Sequence, residues 1–414
     1  MTGTTNRRTT TCFESCGLRR QPDADPGLTA LTPAPRRRAF SILALITALA
    51  METALAAPAA IETEFDDQEI LITLPSEALA PDSLPETAPA LAEQVQEYLT
   101  QARAQGDPRY LGYAQALFER WPENRMTDRL KILRATLNQS LHRFEPARVE
   151  LNAVLNAPNI NQRLASQARL TLANLELVQG HYKSAHAHCR QLANEFPGLI
   201  AASCLAQAQA RTGNAKTAYT SLQAQTRRLP DSDVISRIWA EGTLADIAAQ
   251  LGKPQAETHW RQVLMLAPDD LYTRTQLADW LLERGENDAV IELTAAYERV
   301  DSLAVVRAIA MKRHQHADAD RLSAMLEERF AEARWRGTLL HQRDLARYAL
   351  DLEEDAETAL THARANWRDQ REPLDTRLLL RAARAAGDDS VLADIKAWLE
   401  KHNQRDARYP EVRS

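Results

Sequence analysis

The chain has 414 residues and a formal net charge of −6, with 13 glycines and 6% aromatic residues. Alanine, leucine, arginine, glutamate and glutamine dominate. These are good helix formers, so an all-α chain is expected. A mildly acidic body lacks the basic stripe that nucleic-acid binders carry, so no nucleic-acid partner is expected.

The first 56 residues form a leader region. They hold seven arginines (Arg7, Arg8, Arg19, Arg20, Arg36, Arg37, Arg38) against four acids (Glu14, Asp23, Asp25, Glu52), which leaves −9 for the remainder. Arg36-Arg37-Arg38 precedes the apolar run AFSILALITALAM and the small-residue site Ala54-Leu55-Ala56. Basic cluster, apolar core and small-x-small site make a secretory signal cleaved near Ala56, placing the mature chain in the periplasm. Arg37-Arg38-Ala39-Phe40 resembles the core of a twin-arginine signal, without the rest of that motif. No cysteine follows the apolar core, which argues against a lipoprotein. The run is shorter than the ~20 residues of a spanning helix. The alternative is an uncleaved N-terminal membrane anchor.

Residues 57–89 form a linker with eight acids, no lysine or arginine, and prolines at 58, 75, 81, 85 and 89. That composition is disorder-like. Within it, Glu69-Ile70-Leu71-Ile72-Thr73-Leu74 is a short strand candidate with no partner strand, read as a mobile tether with a sticky patch or as a docking segment.

From residue 90 a helical hairpin recurs. The first spans about Ala90–Trp121, turns at Gly106-Asp107-Pro108 and stops at Pro122. The second carries Ala135, His142 at the turn, Ala147, Leu151 and Pro158. The third carries Ala173, Gly180, Ala185, Cys189 and Pro197. The fourth repeats those steps with Ala206, Gly213, Ala218, Leu222 and Pro230. The fifth (Ala245, Gly252, Ala256, Trp260, Pro268) and sixth (Ala278, Gly285, Ala289, Leu293, Asp301) follow with a turn one residue shorter. The small anchors at 135, 173, 206, 245 and 278 are 38, 33, 39 and 33 apart. Two junctions therefore hold about five extra residues, expected in longer second helices or loops.

Residues 90–301 are thus the regular array and 302–414 a degenerate continuation with a C-terminal cap. The latter contains Leu303–Arg313 with Ala317–Arg334, Leu339–Leu352 with Ala356–Trp367, and Leu374–Ala386 with Ser390–His402 around Gly387. Lys396, Glu400, Lys401 and Arg405 supply the polar outer face of a capping element.

These steps are similar to the tetratricopeptide superfamily, whose hairpin of about 34 residues stacks on copies of itself to bury its apolar face. The stretches GDPRYLGYA from Gly106 and RDLARYALDLEEDAETALTHARANWRDQREP from Arg343 look like exported bacterial tetratricopeptide proteins without an assigned role. The resemblance implies a right-handed superhelical solenoid of about eight or nine hairpins, used for binding and assembly rather than chemistry.

In such stacks the first helix of each hairpin lines the concave face, and residues three and four apart share one helix face. The residue after each small anchor is expected in the groove: Thr136, Asn174, Gln207, Asp246 and Asp279. Seven residues before the last two stand Trp239 and Tyr272, candidate apolar anchors. The amides suit the backbone of an extended peptide. The two aspartates favour a basic or amide-bearing end. The bland alternative is a wetted polar face.

No catalytic, cofactor or metal site is expected. His186 and Cys189 share a helix face but His188 does not, and His314 and His316 diverge likewise. No phosphate loop, zinc-protease histidine pair or nucleophile-elbow serine occurs. Glu353-Glu354-Asp355 and Asp388-Asp389 fall at turns or helix starts, where acids favour the positive helix end. Trp121, Trp335 and Trp367 are read as packing residues near helix ends. Cys12 and Cys16 leave with the leader. Cys189 and Cys204 are read as two buried thiols, small apolar residues in effect, with a disulfide allowed in an oxidising compartment.

The expected function is an exported scaffold that binds a protein or peptide and helps an envelope complex, such as one at the inner membrane, to assemble. The alternatives are a structural subunit working through its convex face, and an enzyme or metal carrier.

Overall fold

A computed structural model describes residues 84–228, 233–336 and 342–410. The leader, the cleavage site, Glu69–Leu74 and most of the linker lie outside the described residues. Among the described residues there is no strand, and the helices pair into nine hairpins. The first three pair α1 (Ala88–Gln105) with α2 (Arg109–Arg120), α3 (Asp128–Ser140) with α4 (Phe144–Leu155), and α5 (Gln162–Val178) with α6 (Tyr182–Glu195). The next three pair α7 (Leu199–Gln209) with α8 (Ala215–Thr226), α9 (Val234–Gln250) with α10 (Gln255–Leu266), and α11 (Leu271–Glu283) with α12 (Asn287–Leu293). The last three pair α13 (Asp301–Arg313) with α14 (Ala319–Trp335), α15 (Gln342–Tyr348) with α16 (Ala356–Asp369), and α17 (Pro373–Ala385) with α18 (Asp389–Lys401). The expected all-α solenoid of stacked hairpins is what the chain forms.

Local chemistry explains the boundaries. Thr87, Thr127, Asn161, Asp233, Asp270, Asp355 and Asp388 each accept a hydrogen bond from a backbone N–H in the first turn of the helix that follows. Such caps satisfy donors that the helix itself leaves open. Asp355 and Asp388 thus sit at helix starts, as read from sequence.

The small anchors Ala135, Ala173, Ala206, Ala245 and Ala278 are all buried, and each first helix packs on the first helix of the next hairpin from α1 through α17. Short side chains there let neighbouring helices approach closely. The extra residues between anchors go partly into a longer connection, as expected (156–161 before α5 against 196–198 before α7), and partly into the helix that follows. Ala173 and Ala245 lie eleven residues into α5 and α9, whereas Ala135, Ala206 and Ala278 lie seven into α3, α7 and α11. Each long junction therefore adds about one turn to the start of a first helix, rather than lengthening a second helix. Asn161 and Asp233 cap those added turns.

The stack closes on itself. Helix α1 packs against α11, and a Cβ built on Gly106 would lie 2.9 Å from Val300 and 3.1 Å from Leu271. Hairpins one to five thus make a first superhelical turn, and hairpins six to nine run beneath it. The turn tips of the first round are covered in order. Gln370 reaches His142 at 3.4 Å. The Arg371 N–H donates to Val178 O at 2.7 Å, and Arg371 and Trp398 crowd Gly180. Asn403 lies against Gly213, and the Ala407 N–H donates to Gln250 O at 2.9 Å beside Gly252. Gly213 has a φ of +89°, and a Cβ there would stand 3.0 Å from Asn403 O. Glycine is required at that tip both by its dihedral and by the approaching chain.

Two sequence expectations are corrected. Cys189 on α6 and Cys204 on α7 are joined as a disulfide, with Cα atoms 5.4 Å apart, rather than standing as two thiols. The second helix of one hairpin and the first of the next lie side by side, which brings residues fifteen apart into bonding range. Trp335, expected to pack, is 85% exposed at the end of α14. Trp121 is buried, and the Trp367 ring packs 5.2 Å from that of Trp398.

The axis of the second round is filled by charge. Asp279, 2% exposed, accepts from both Arg347 and Arg377, and Arg377 also pairs with Glu283 at 2.6 Å. Asp351 takes up Arg381 and Arg347, while Arg343 bridges Asp375 and Glu372. Burial pushes the Asp279 carboxyl up, but the two guanidinium groups outweigh it and hold it well below the usual carboxylate range.

Asp279→Ala removes the carboxylate shared by two buried guanidinium groups, leaving Arg347 to Asp351 and Arg377 to Glu283, and is expected to lower unfolding free energy by about 3 kcal/mol; an unchanged urea midpoint would show that the cluster is not structural. Replacing both cysteines, Cys189→Ala with Cys204→Ala, is expected to remove about 3 kcal/mol for a loop of this length, read by the same titration. Equal stability would mean that the bond does not form.

Candidate functional site

The first superhelical turn is hollow. Its upper part is a cavity of about 510 Å³ between α1, α3, α5 and α9, lined by Leu99, Leu133 and Leu170 together with Gln96, Gln139, Gln167 and Trp239. Its lower part, of about 330 Å³, is lined by Gln139, Asn174, Gln207, Arg211, Trp239, Asp246, Tyr272 and Glu372. Gln139, Asn174 and Trp239 belong to both parts, so the two form one chamber.

Six of the seven residues picked from sequence line this chamber: Thr136, Asn174, Gln207, Trp239, Asp246 and Tyr272. Thr136 gives its hydroxyl to Ile132 O of its own helix at 2.9 Å. The Asn174 side-chain amide makes no hydrogen bond to any described residue. Gln207 donates to Thr243 at 3.1 Å and keeps its carbonyl oxygen open. Trp239 presents a half-buried ring. The seventh, Asp279, is placed differently. It lies outside the chamber, and its oxygens are already taken by Arg347 and Arg377.

Asp246 sits low in the chamber, where it accepts from Trp260 Nε1 at 3.2 Å and from the Tyr272 hydroxyl at 3.0 Å. Burial pushes its carboxyl up to about 6, with Arg211 and the two hydrogen bonds pulling weakly the other way. Arg211 donates to Gln250 at 3.2 Å. Neither Asp246 nor Arg211 is in an ion pair among the described residues.

The sequence reading passed over Gln139, Arg211 and Glu372. Gln139 and Arg211 stand three and four residues after Thr136 and Gln207, so continuing the helical stripe by one turn reaches both. Glu372 arrives from the second round of the spiral, and no local spacing marks it. The chamber holds neutral amides, apolar surface, Arg103 in its upper wall, and Asp246 and Arg211 lower down. Among the described residues no group of histidine, cysteine and acidic side chains could hold a metal ion. The arrangement can bind by hydrogen bonding and burial.

With a folded-state pKa above the ordinary aspartate value of about 4, Asp246 holds its proton more tightly in the folded protein than in the unfolded chain. Its destabilising effect therefore grows as pH rises from about 4 to about 6 and is complete at neutral pH. Asp246→Asn keeps one oxygen for Trp260 and lets the Tyr272 hydroxyl accept. It is expected to raise Tm at about pH 7.5 and to leave it unchanged at about pH 4; a lower Tm at the higher pH would contradict this assignment.

No family model matches the sequence, and no curated protein matches it. Among solved structures the chain is similar to the tetratricopeptide domain of P58(IPK), at 13% identity over 72% of this chain and 89% of that one, with a TM-score of 0.19.

Proposed function

We propose that this chain is an exported binding scaffold whose first superhelical turn holds a segment of a partner protein, in the assembly of a bacterial envelope complex. The carrying observation is the contrast between the two rounds of the spiral. In the second, Asp279, Asp351 and Asp375 are consumed by arginines, and a separate cavity of about 520 Å³ lies beneath the tips of hairpins one and two. In the first, Asn174 and the open face of Gln207 are left beside the half-buried Trp239 ring. Buried or half-buried amides are ordinarily paired, and a polypeptide backbone supplies matching donors and acceptors.

Export is the reading of the basic, apolar and small-residue leader, and it is supported by the Cys189–Cys204 disulfide. Such bonds persist in oxidising compartments and are rare in the cytosol.

A photo-crosslinker placed at position 239 is expected to capture a defined envelope protein from cells, and one placed at the exposed Trp335 is expected not to. Asn174→Ala combined with Trp239→Ala is expected to weaken that complex by about tenfold or more while leaving Tm near wild type. Capture from position 335 alone would place the interaction on the convex face instead.

A further inference from the structure

The cavity of about 520 Å³ lies between the two rounds of the spiral. Small-molecule sites commonly span roughly 300–1,000 Å³, and this volume falls within that range. Gly106, Pro108 and His142 of the first round cover it, and residues of α11, α13, α14 and α15 wall it from the second. Arg299, Glu332 and Arg336 are exposed, so the cavity opens to solvent on their side.

The wall has three unused features. Tyr272 on α11 is 48% exposed although it lies inside the spiral, where it lines both this cavity and the chamber. Val300 and Phe330 extend that apolar surface. Gln276, one helical turn after Tyr272, is only 7% exposed, and its side-chain amide makes no hydrogen bond to any described residue. Buried amides are ordinarily paired, so this one leaves a donor and an acceptor for an occupant. The third feature is a charge. Three of the four arginines in the wall are held by acids: Arg329 by Asp301 at 2.7 Å, Arg336 by Glu332 at 2.6 Å, and Arg343 by Glu372 and Asp375. Arg299, just before α13, makes no ion pair with a described residue.

We infer that this cavity is a binding site for a small organic anion with an apolar, aromatic body. The body lies between the Tyr272 ring and Phe330, where flat apolar surface is available. Its charge pairs with Arg299 at the open side, since a guanidinium group suits a carboxylate or sulfonate. A hydrogen-bonding group on the body meets the Gln276 amide. The site is separate from the chamber and does not rest on the binding reading given above. Tyr272 is the wall they share.

The purified protein is titrated with anilinonaphthalene sulfonate, an aromatic anion carrying one N–H donor, and with its uncharged analogue phenylnaphthylamine, both read by fluorescence. A saturable site for the sulfonate is expected. Arg299→Gln should weaken it about tenfold or more, the loss of one charge-assisted contact. Ala333→Trp, which puts a large ring into the cavity, should remove it. Arg299 is exposed, so its variant keeps the test decisive if Ala333→Trp fails to fold. Trp239→Ala in the chamber should leave this site unchanged, and the uncharged analogue should bind it about tenfold more weakly. Binding lost with Trp239→Ala and kept with Arg299→Gln would move the probe to the chamber and overturn the inference, as would no binding at all. Equal affinity for the charged and uncharged probes would overturn the assignment of an anion. Crosslinking from position 239 is read independently, so the two readings can fail separately.

Discussion

The buried carboxylate of Asp279, gripped by Arg347 and Arg377, is the interaction on which the rest of the spiral depends. It ties the first helix of hairpin six to the first helices of hairpins eight and nine, across the axis rather than along the stack. Removing ions from water is expensive, and only a fully paired geometry offsets that cost. Here the pairing extends through Asp351, Arg381, Arg343 and Asp375. Arginine suits the position because its planar fork reaches two partners at once and stays charged when buried. A second round cross-tied in this way is a firm base. The turn tips of hairpins two to five rest on it through hydrogen bonds and close contacts, and at hairpin three also through the packed rings of Tyr182, Trp398 and His402.

One rule of placement has two outcomes in this molecule. The residue after each small anchor points inward in hairpins two to six. Where the opposite wall is far away, as around Asn174 and Gln207, the side chain faces open volume. Where the spiral has tightened, as at Asp279, the same position meets a guanidinium group from the far side. Hairpin geometry fixes the direction of a side chain, and superhelical pitch fixes what it meets.

That distinction explains what was legible in the sequence. Anchor alanines, turn glycines and capping residues act within a hairpin or between neighbours, so their spacing carried the fold and brought six of the chamber's residues into view. The added turns of α5 and α9 were hidden because a surplus of residues does not say which helix absorbs it; Asn161 and Asp233, each a good capping residue just before an added turn, were the available signal. The Cys189–Cys204 bond depended on the lateral distance between adjacent hairpins. The second round's cross-ties and its contacts with the first were illegible for a stronger reason. They join residues such as Asp279 and Arg377, 98 positions apart, and Gln250 and Arg405, 155 apart, and no periodicity links such pairs.

The order in which a ribosome delivers this chain gives the covered turn tips a further meaning. Hairpins one to five can stack as they emerge, since each needs only its neighbour. The residues that cover those tips, from Gln370 to Ala407, are made after all five of those hairpins. Until they arrive the tips stand uncovered, and contacts of such long sequence separation form late and slowly. A chain cut short before hairpin nine would therefore keep its stacked neighbours while leaving Gly213 and Gly252 bare.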